Sequence, residues 1–265
     1  MRRIHCFFSG GKDSAVACAL TKRVADVRGW SFRLIHIDTT IYIKETREYV
    51  YKYAQWLGAE LEIIRPRRTF RELAEKIGMW PSLYPYKMRW CMRELKLKPT
   101  MEYLEHNYRS NDLVVLGIRK SESRFREKLY RHIFTQHKYG NRINVLLWMP
   151  LLYADDAMVM QLIRRYNVPE NPVWRKLGTS GECLCLAGAP VHVIVLIIRH
   201  YPEEFKQLLE IDKTISKNRR STKPSAPFRL AQHNLTLEEL YRRINKLDTL
   251  DRYIPGKSCE GSCML

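Results

Sequence analysis

Short runs of β-forming apolar residues alternate with segments of helical period along most of the chain. Ile4–Phe8, Phe32–Ile37, Glu60–Ile64, Asp112–Leu116 and Ile143–Met149 read as strands, most of them apolar enough to be covered on both faces. Between them, Asp13–Val24 puts Val16, Leu20 and Val24 at helical spacing, with Cys18 near the same face. Glu45–Leu57 is a helix stopped by Gly58, and Asp155–Tyr166 follows the last strand. Strand and helix in alternation imply right-handed crossovers. The expected fold class is therefore α/β, a doubly wound parallel five-stranded sheet. Beyond it, Val191–Glu210 reads as a helix bent near Pro202, Lys213–Lys223 as a basic linker, and Leu237–Leu250 as an amphipathic helix capped by Thr236. The organisation predicted is an α/β domain over 1–187 and a helical extension with a cysteine-bearing tail over 188–265.

The first strand runs straight into Ser9-Gly10-Gly11-Lys12-Asp13-Ser14. Two glycines permit a sharp turn that brings backbone N–H groups close to a ligand. Lys12 adds a charge, and the helix that follows points its positive end at the same spot. An anion belongs there, and a phosphate fits best. The spacing is not that of a Walker loop, which needs four residues between its glycines.

Ligands in open α/β sheets gather at the carboxyl ends of strands, which draws in three further stretches. His36, Asp38 and Thr39 end the second strand, and the basic cluster Arg65, Arg67, Arg68 and Arg71 follows the third. Gly117-Ile118-Arg119-Lys120-Ser121-Glu122-Ser123-Arg124 leaves the fourth. There Gly117 permits close backbone approach, while Arg119 and Arg124 offer forked donors to phosphate or sulfate oxygens. On its own, His36 reads as a packed or hydrogen-bonded core histidine.

Charge and cysteine usage change the picture further. Lysine and arginine outnumber aspartate and glutamate 46 to 28, a net charge of +18, which suits a polyanionic partner such as nucleic acid or else a solvated basic surface. The opening Met1-Arg2-Arg3 leads directly into a strand, and Val193–Ile198, the longest apolar run, is far below bilayer length. No membrane association and a cytoplasmic location are expected. Seven cysteines in a reducing compartment then argue for metal binding or catalysis ahead of disulfides, with Cys6 and Cys18 as buried, inert thiols.

Four ordered features resemble the phosphoadenylyl-sulfate (PAPS) reductase family of the adenine nucleotide alpha hydrolase superfamily, the N-type ATP pyrophosphatases. They are the Ser9–Ser14 pyrophosphate loop (PP-loop), Cys91 followed by Lys96 and Pro99, the Gly117-Ile118-Arg119 stretch leading to Glu122-Ser123, and Cys183-Leu184-Cys185. The resemblance spans about Arg3 to Ala187. It implies an adenine-nucleotide site built from Ser9, Gly10, Gly11, Lys12, Asp13, Ser14, His36, Asp38, Thr39, Gly117, Arg119, Glu122, Ser123 and Arg124, with Lys12, Asp13, Lys96 and Arg119 in catalytic roles. ATP and Mg²⁺ are the implied cofactors, because Lys12 and Asp13 suit a triphosphate and a metal.

A [4Fe–4S] cluster is implied as well, on Cys91, Cys183 and Cys185 with Cys259 or Cys263 as the fourth thiolate. Met92 stands where a tandem cysteine would be, and Cys183-Leu184-Cys185 is one residue shorter than the family's Cys-x-x-Cys. Zinc on the same ligands and unligated thiols are the alternatives. The tail Cys259-Glu260-Gly261 resembles in part the family's redox-active C-terminal motif. Three functions follow from the resemblance: ATP-dependent sulfur transfer through α–β cleavage and adenylation, with tRNA or DNA as acceptor; reduction of PAPS or adenylyl sulfate to sulfite; or nucleotide and nucleic-acid binding without turnover. A sulfur-donor protein or a thioredoxin-like reductant is the implied protein partner.

Overall fold

The computed structural model describes residues 2–82, 89–139, 142–217 and 236–246. Cys259, Cys263 and the greater part of the 213–223 stretch lie outside them. Among the described residues the sheet has six strands in the order β3-β2-β1-β4-β6-β5. These are β1 (Arg3–Phe7), β2 (Ser31–Ile37), β3 (Glu60–Ile64), β4 (Leu113–Val115), β5 (Phe134–Tyr139) and β6 (Ile143–Trp148). All pairings are parallel except β5 with β6. The five expected strands are present, and β5 corrects the count. It is an antiparallel edge strand whose sequence FTQHKY is half exposed and too polar to announce itself.

α1 (Lys12–Arg28) and α2 (Lys44–Leu57) both end at a left-handed glycine, Gly29 and Gly58. α1 begins one residue before Asp13 and runs four past Val24, and Val24 lies on its exposed side, not on the sheet. Cys6 in β1 and Cys18 in α1 pair as a disulfide, with Cα atoms 6.0 Å apart. This overturns their reading as inert thiols: folding α1 back over β1 brings residues twelve apart to bridging distance.

α3 (Phe70–Ile77) carries a complete Thr69–Glu72 capping box. A π-helical turn (Met92–Leu97) runs into α4 (Lys98–Asn107), followed after β4 by a 3₁₀ turn (Lys120–Glu122) and α5 (Arg124–Leu129). α6 (Asp156–Tyr166) is capped by the Asp155 carboxylate, which accepts from the Met158 N–H at 2.7 Å, and α7 (Pro172–Leu177) by Asn171. The expected bend at Pro202 is a break between α8 (Val191–His200) and α9 (Pro202–Lys217), because proline at the first position of a helix starts one readily. α9 therefore takes in the first part of the predicted linker. α10 (Leu237–Lys246) begins at Thr236, as expected.

The core forms three clusters. One lies under α1, α2 and α6, one on the opposite face beside α4, and a third joins α3, the cysteine-bearing loop and α8–α10 around Trp80, Trp90 and Phe205.

The chain winds outward from β1 to β3 and then returns to β4 on the other side of β1. The switch point therefore lies between β1 and β4. There the exit of β4 presses on the first turn of α1: a Cβ on Gly117 would stand 2.6 Å from both Cα and N of Ser14. Gly117→Ala should force the strand exit and helix start apart. The expected loss is about 1–3 kcal/mol, read as a lower urea midpoint with an unchanged m-value.

Candidate functional site

Four charged side chains converge at this switch point. Lys12 and Asp13 open α1, Arg119 follows β4, and Asp156 opens α6. The Asp156 carboxylate accepts from the Lys12 ammonium and, at 3.0 Å, from Arg119 Nη2. Arg119 Nε stands 3.1 Å from Asp13 Oδ1. That last pair is in ionic contact but out of hydrogen-bond alignment, so both atoms are buried without a hydrogen bond.

Exposure divides the group sharply: the Arg119 and Asp13 side chains are 5% and 14% exposed, that of Asp156 72%. Burial pushes the Asp13 carboxyl above its usual value, against the pull of Arg119 and Lys12. The hydrogen bond from Lys12 holds Asp156 low, and Arg119 reinforces it. Asp156 is the residue that sequence reasoning missed. Its partners are 144 and 37 positions away, so no local spacing marks it.

Around this group the loop is prepared for an anion. Gly10 takes φ +78°, and Gly11 precedes a helix with no side-chain cap, so the first-turn amides of α1 keep their donors free for a ligand. Ser14 Oγ accepts from the Ser9 N–H at 3.2 Å and donates to the Gly11 carbonyl at 2.9 Å. Asn171 Nδ2 donates to the Gly10 and Ser180 carbonyls, both at 2.9 Å, and Lys12 also lies over the Trp174 ring. Amides and lysine together can hold a phosphate, and the unsatisfied Asp13 oxygen suits a cation beside it.

The remaining predicted residues fall into two neighbouring groups. Asp38 is committed: it accepts from the Thr40 N–H at 2.9 Å and pairs with Arg47 and Arg65. Burial pushes its carboxyl up, but those partners outweigh burial and hold it below its usual value. Thr39 Oγ1 donates to the Glu182 carbonyl at 2.8 Å, and His36 Nδ1–H to the Phe8 carbonyl at 2.9 Å. Beyond Arg119, Glu122 accepts from the Arg119 N–H and pairs with Arg126. Ser123 caps α5, and Arg124 is exposed.

The Gly178–Cys185 loop is laid against the β2 exit by Ile43 N–H to Gly181 O and Leu184 N–H to Ile41 O, both 2.9 Å. It carries the cysteines to Cys91, whose Sγ is 3.8 Å from that of Cys185. The free thiol of Cys183 in turn hydrogen-bonds that of Cys185, and that contact together with burial raises the Cys183 thiol. Lys96, on the π-helical turn after Cys91, pairs with Glu182 at 3.2 Å. No group of three or more His, Cys, Asp or Glu among the described residues is disposed to hold a metal ion. The three thiols meet, while both tail cysteines proposed as the fourth ligand lie outside the described residues.

A mainly parallel sheet with a glycine loop and an uncapped helix at its switch point defines a doubly wound α/β protein whose switch point can receive an anion. Residues 3–185 match the phosphoadenosine phosphosulfate reductase domain, and the chain belongs to that family. It is 30% identical over 213 residues to Uncharacterized protein MJ0973 of Methanocaldococcus jannaschii, and 31% over 197 to Uncharacterized protein MJ0066 of the same organism. These matches cover 79% and 74% of the chain but only 47% and 38% of the relatives, so it spans less than half of their length. Among solved structures it is similar to PAPS reductase from Candida auris in its phosphate complex. The TM-score is 0.49 at 20% identity, over 66% of this chain and 78% of that one. No helix among the described residues is long and apolar enough to cross a membrane.

Burial holds His36 below its usual value of 6.5, with Glu182 and the Phe8 carbonyl acting against it. A lowered value means that the unfolded chain takes up a proton first. The neutral imidazole therefore stabilises the fold fully above pH 6.5, and that contribution is lost as pH falls from there towards the folded value. In His36→Gln the slope of unfolding free energy against pH below 6.5 should be shallower, by at most about 1.4 kcal/mol per pH unit, measured by urea titration.

Proposed function

We propose that this chain binds ATP at the Ser9–Ser14 loop and cleaves it between the α and β phosphates, adenylating an acceptor for sulfur transfer. The observation that carries this reading is the meeting of Lys12, Asp13, Arg119 and Asp156 in one group, with uncapped amides beside it. Lys12 and the amides would bind the β and γ phosphates. Arg119, with Lys96 from the neighbouring turn, would face the α-phosphate.

In the reaction a bond forms from the acceptor's nucleophilic atom to the α-phosphorus, the α–β bridging P–O bond breaks, and pyrophosphate leaves with the electron pair. Cations held in place before the reaction stabilise the charge that develops on the leaving oxygen. Asp13, with a buried oxygen short of a hydrogen bond, would hold Mg²⁺, which would neutralise phosphate charge. Phosphate would take the place of the exposed Asp156 carboxylate on Lys12 and Arg119. Cys91, Cys183 and Cys185 with one tail cysteine would hold a [4Fe–4S] cluster.

The family match favours a second reading, reduction of PAPS or adenylyl sulfate. There a thioredoxin-like reductant supplies two electrons to the sulfonucleotide, releasing sulfite and the nucleotide. What speaks for ATP is the retained Lys12-Asp13 pair, which a substrate without β and γ phosphates does not require. A sulfur-donor protein and a nucleic-acid acceptor agree with the +18 charge.

Anaerobically purified protein incubated with ATP–Mg²⁺ should release AMP and pyrophosphate. Sulfite from PAPS or adenylyl sulfate with ATP left intact would reject the adenylation reading, and ATP bound without turnover would mark a non-catalytic subunit. Lys12→Ala should lower AMP formation about 100-fold or more. Asp156→Asn, which frees both cations from an exposed carboxylate, should tighten pyrophosphate binding by about two- to five-fold in calorimetry. Iron should co-purify with visible absorbance and be lost from Cys185→Ser.

A further inference from the structure

We propose that α5, β5 and the loop after β6 form a docking surface for unpaired RNA beside the nucleotide site. Its place as an acceptor platform rests on the adenylation reading.

The charge of this segment is unbalanced. Between Lys120 and Lys138 six lysines and arginines accompany two glutamates, and Glu122 is already tied to Arg126. Among the described residues the ion pairs of the region include those of Arg119 with Asp13 and Asp156, Arg126 with Glu122, and Arg142 with Glu105. Lys120, Arg124, Lys128, Arg131 and Lys138 have none among the described residues. Cations left without counter-ions along one edge are what a phosphate backbone neutralises.

Large apolar side chains stand among them. Leu129 and Phe134 are 50% exposed and Tyr153 60%. Phe134 lies on the outermost strand and stacks on Trp148, with centroids 5.6 Å apart and planes 17° from parallel. Tyr153 is held in place by its hydroxyl on the Arg131 carbonyl, and Lys120 sits 4.5 Å from its ring centroid. Ordered aromatic rings interleaved with free cations form a stacking platform for bases. A duplex keeps its bases stacked on each other, whereas looped RNA offers unpaired bases in its resting state, so RNA is the partner that fits.

The surface is continuous with the site. Lys120 is the residue after Arg119, its N–H donates to the Leu152 carbonyl at 2.9 Å, and Ser121 Oγ donates to the Ala154 carbonyl two residues before Asp156. A strand lying on Phe134 and Tyr153 would thus lead towards the group assigned to the phosphates.

The test uses the full chain, a labelled polyuridine strand, a DNA duplex and fluorescence anisotropy. Wild type should bind polyuridine more tightly than duplex. The triple variant Lys128→Glu, Arg131→Glu, Lys138→Glu should bind at least about ten-fold more weakly, and its slope of log affinity against log salt should fall by about 2. Phe134→Ala should lose about 5- to 100-fold while Phe134→Tyr retains binding. The triple variant and Phe134→Tyr should match wild type in thermal unfolding, and every variant should match it in binding a non-hydrolysable ATP analogue. Wild type that fails to bind polyuridine, unchanged affinity in both the triple variant and Phe134→Ala, or duplex bound as tightly as polyuridine, would overturn the proposal. Single-stranded DNA bound equally well would overturn the choice of RNA. Loss of ATP-analogue binding in wild type with RNA binding intact would reject the nucleotide reading and leave this surface standing.

Discussion

The missing side chain at Gly117 is the constraint on which the site depends. With a Cβ position 2.6 Å from the backbone of Ser14, the exit of β4 touches the first turn of α1 directly. That contact sets Arg119, two residues on, against Asp13, and it holds the β4 exit beside the uncapped amides. The same proximity admits Asp156 from α6, and four charges settle into a neutral group. Two of them are buried and imperfectly satisfied, which a core built for stability alone avoids.

The second level of organisation ties the cysteine loop to the Ser9–Ser14 loop. Asn171 bridges Gly10 and Ser180, and the β2 exit accepts and donates backbone hydrogen bonds along Gly181 to Leu184. Movement at the Ser9–Ser14 loop would therefore be felt at Cys183 and Cys185 through a short chain of hydrogen bonds. Asp38 and Thr39 serve this stitching: their polar atoms are spent on Thr40, Arg47, Arg65 and the Ile41 and Glu182 carbonyls. Such committed groups lend rigidity to the wall of the site.

Much of the fold was legible because periodicity reports burial. Strands β1, β2, β3, β4 and β6 and helices α1, α2, α6 and α10 lie close to where the apolar pattern placed them. β5 escaped because an edge strand exposed on one side need not be apolar, and α3, α4 and α5 because short helices between loops carry little periodic signal. Cys6 and Cys18 misled for another reason: apolar surroundings suggested inert thiols, while the disulfide depends on how α1 crosses β1.

By itself the sequence determined the α/β class, the loop with its glycines and lysine, and the chemistry available at each strand end, since these depend on residue type and local spacing. Tertiary structure alone decided which groups meet. Asp156 joins Lys12 from 144 residues away, and Cys185 reaches Cys91 across 94. Such pairings are set by strand order and crossover geometry, to which local propensity is blind.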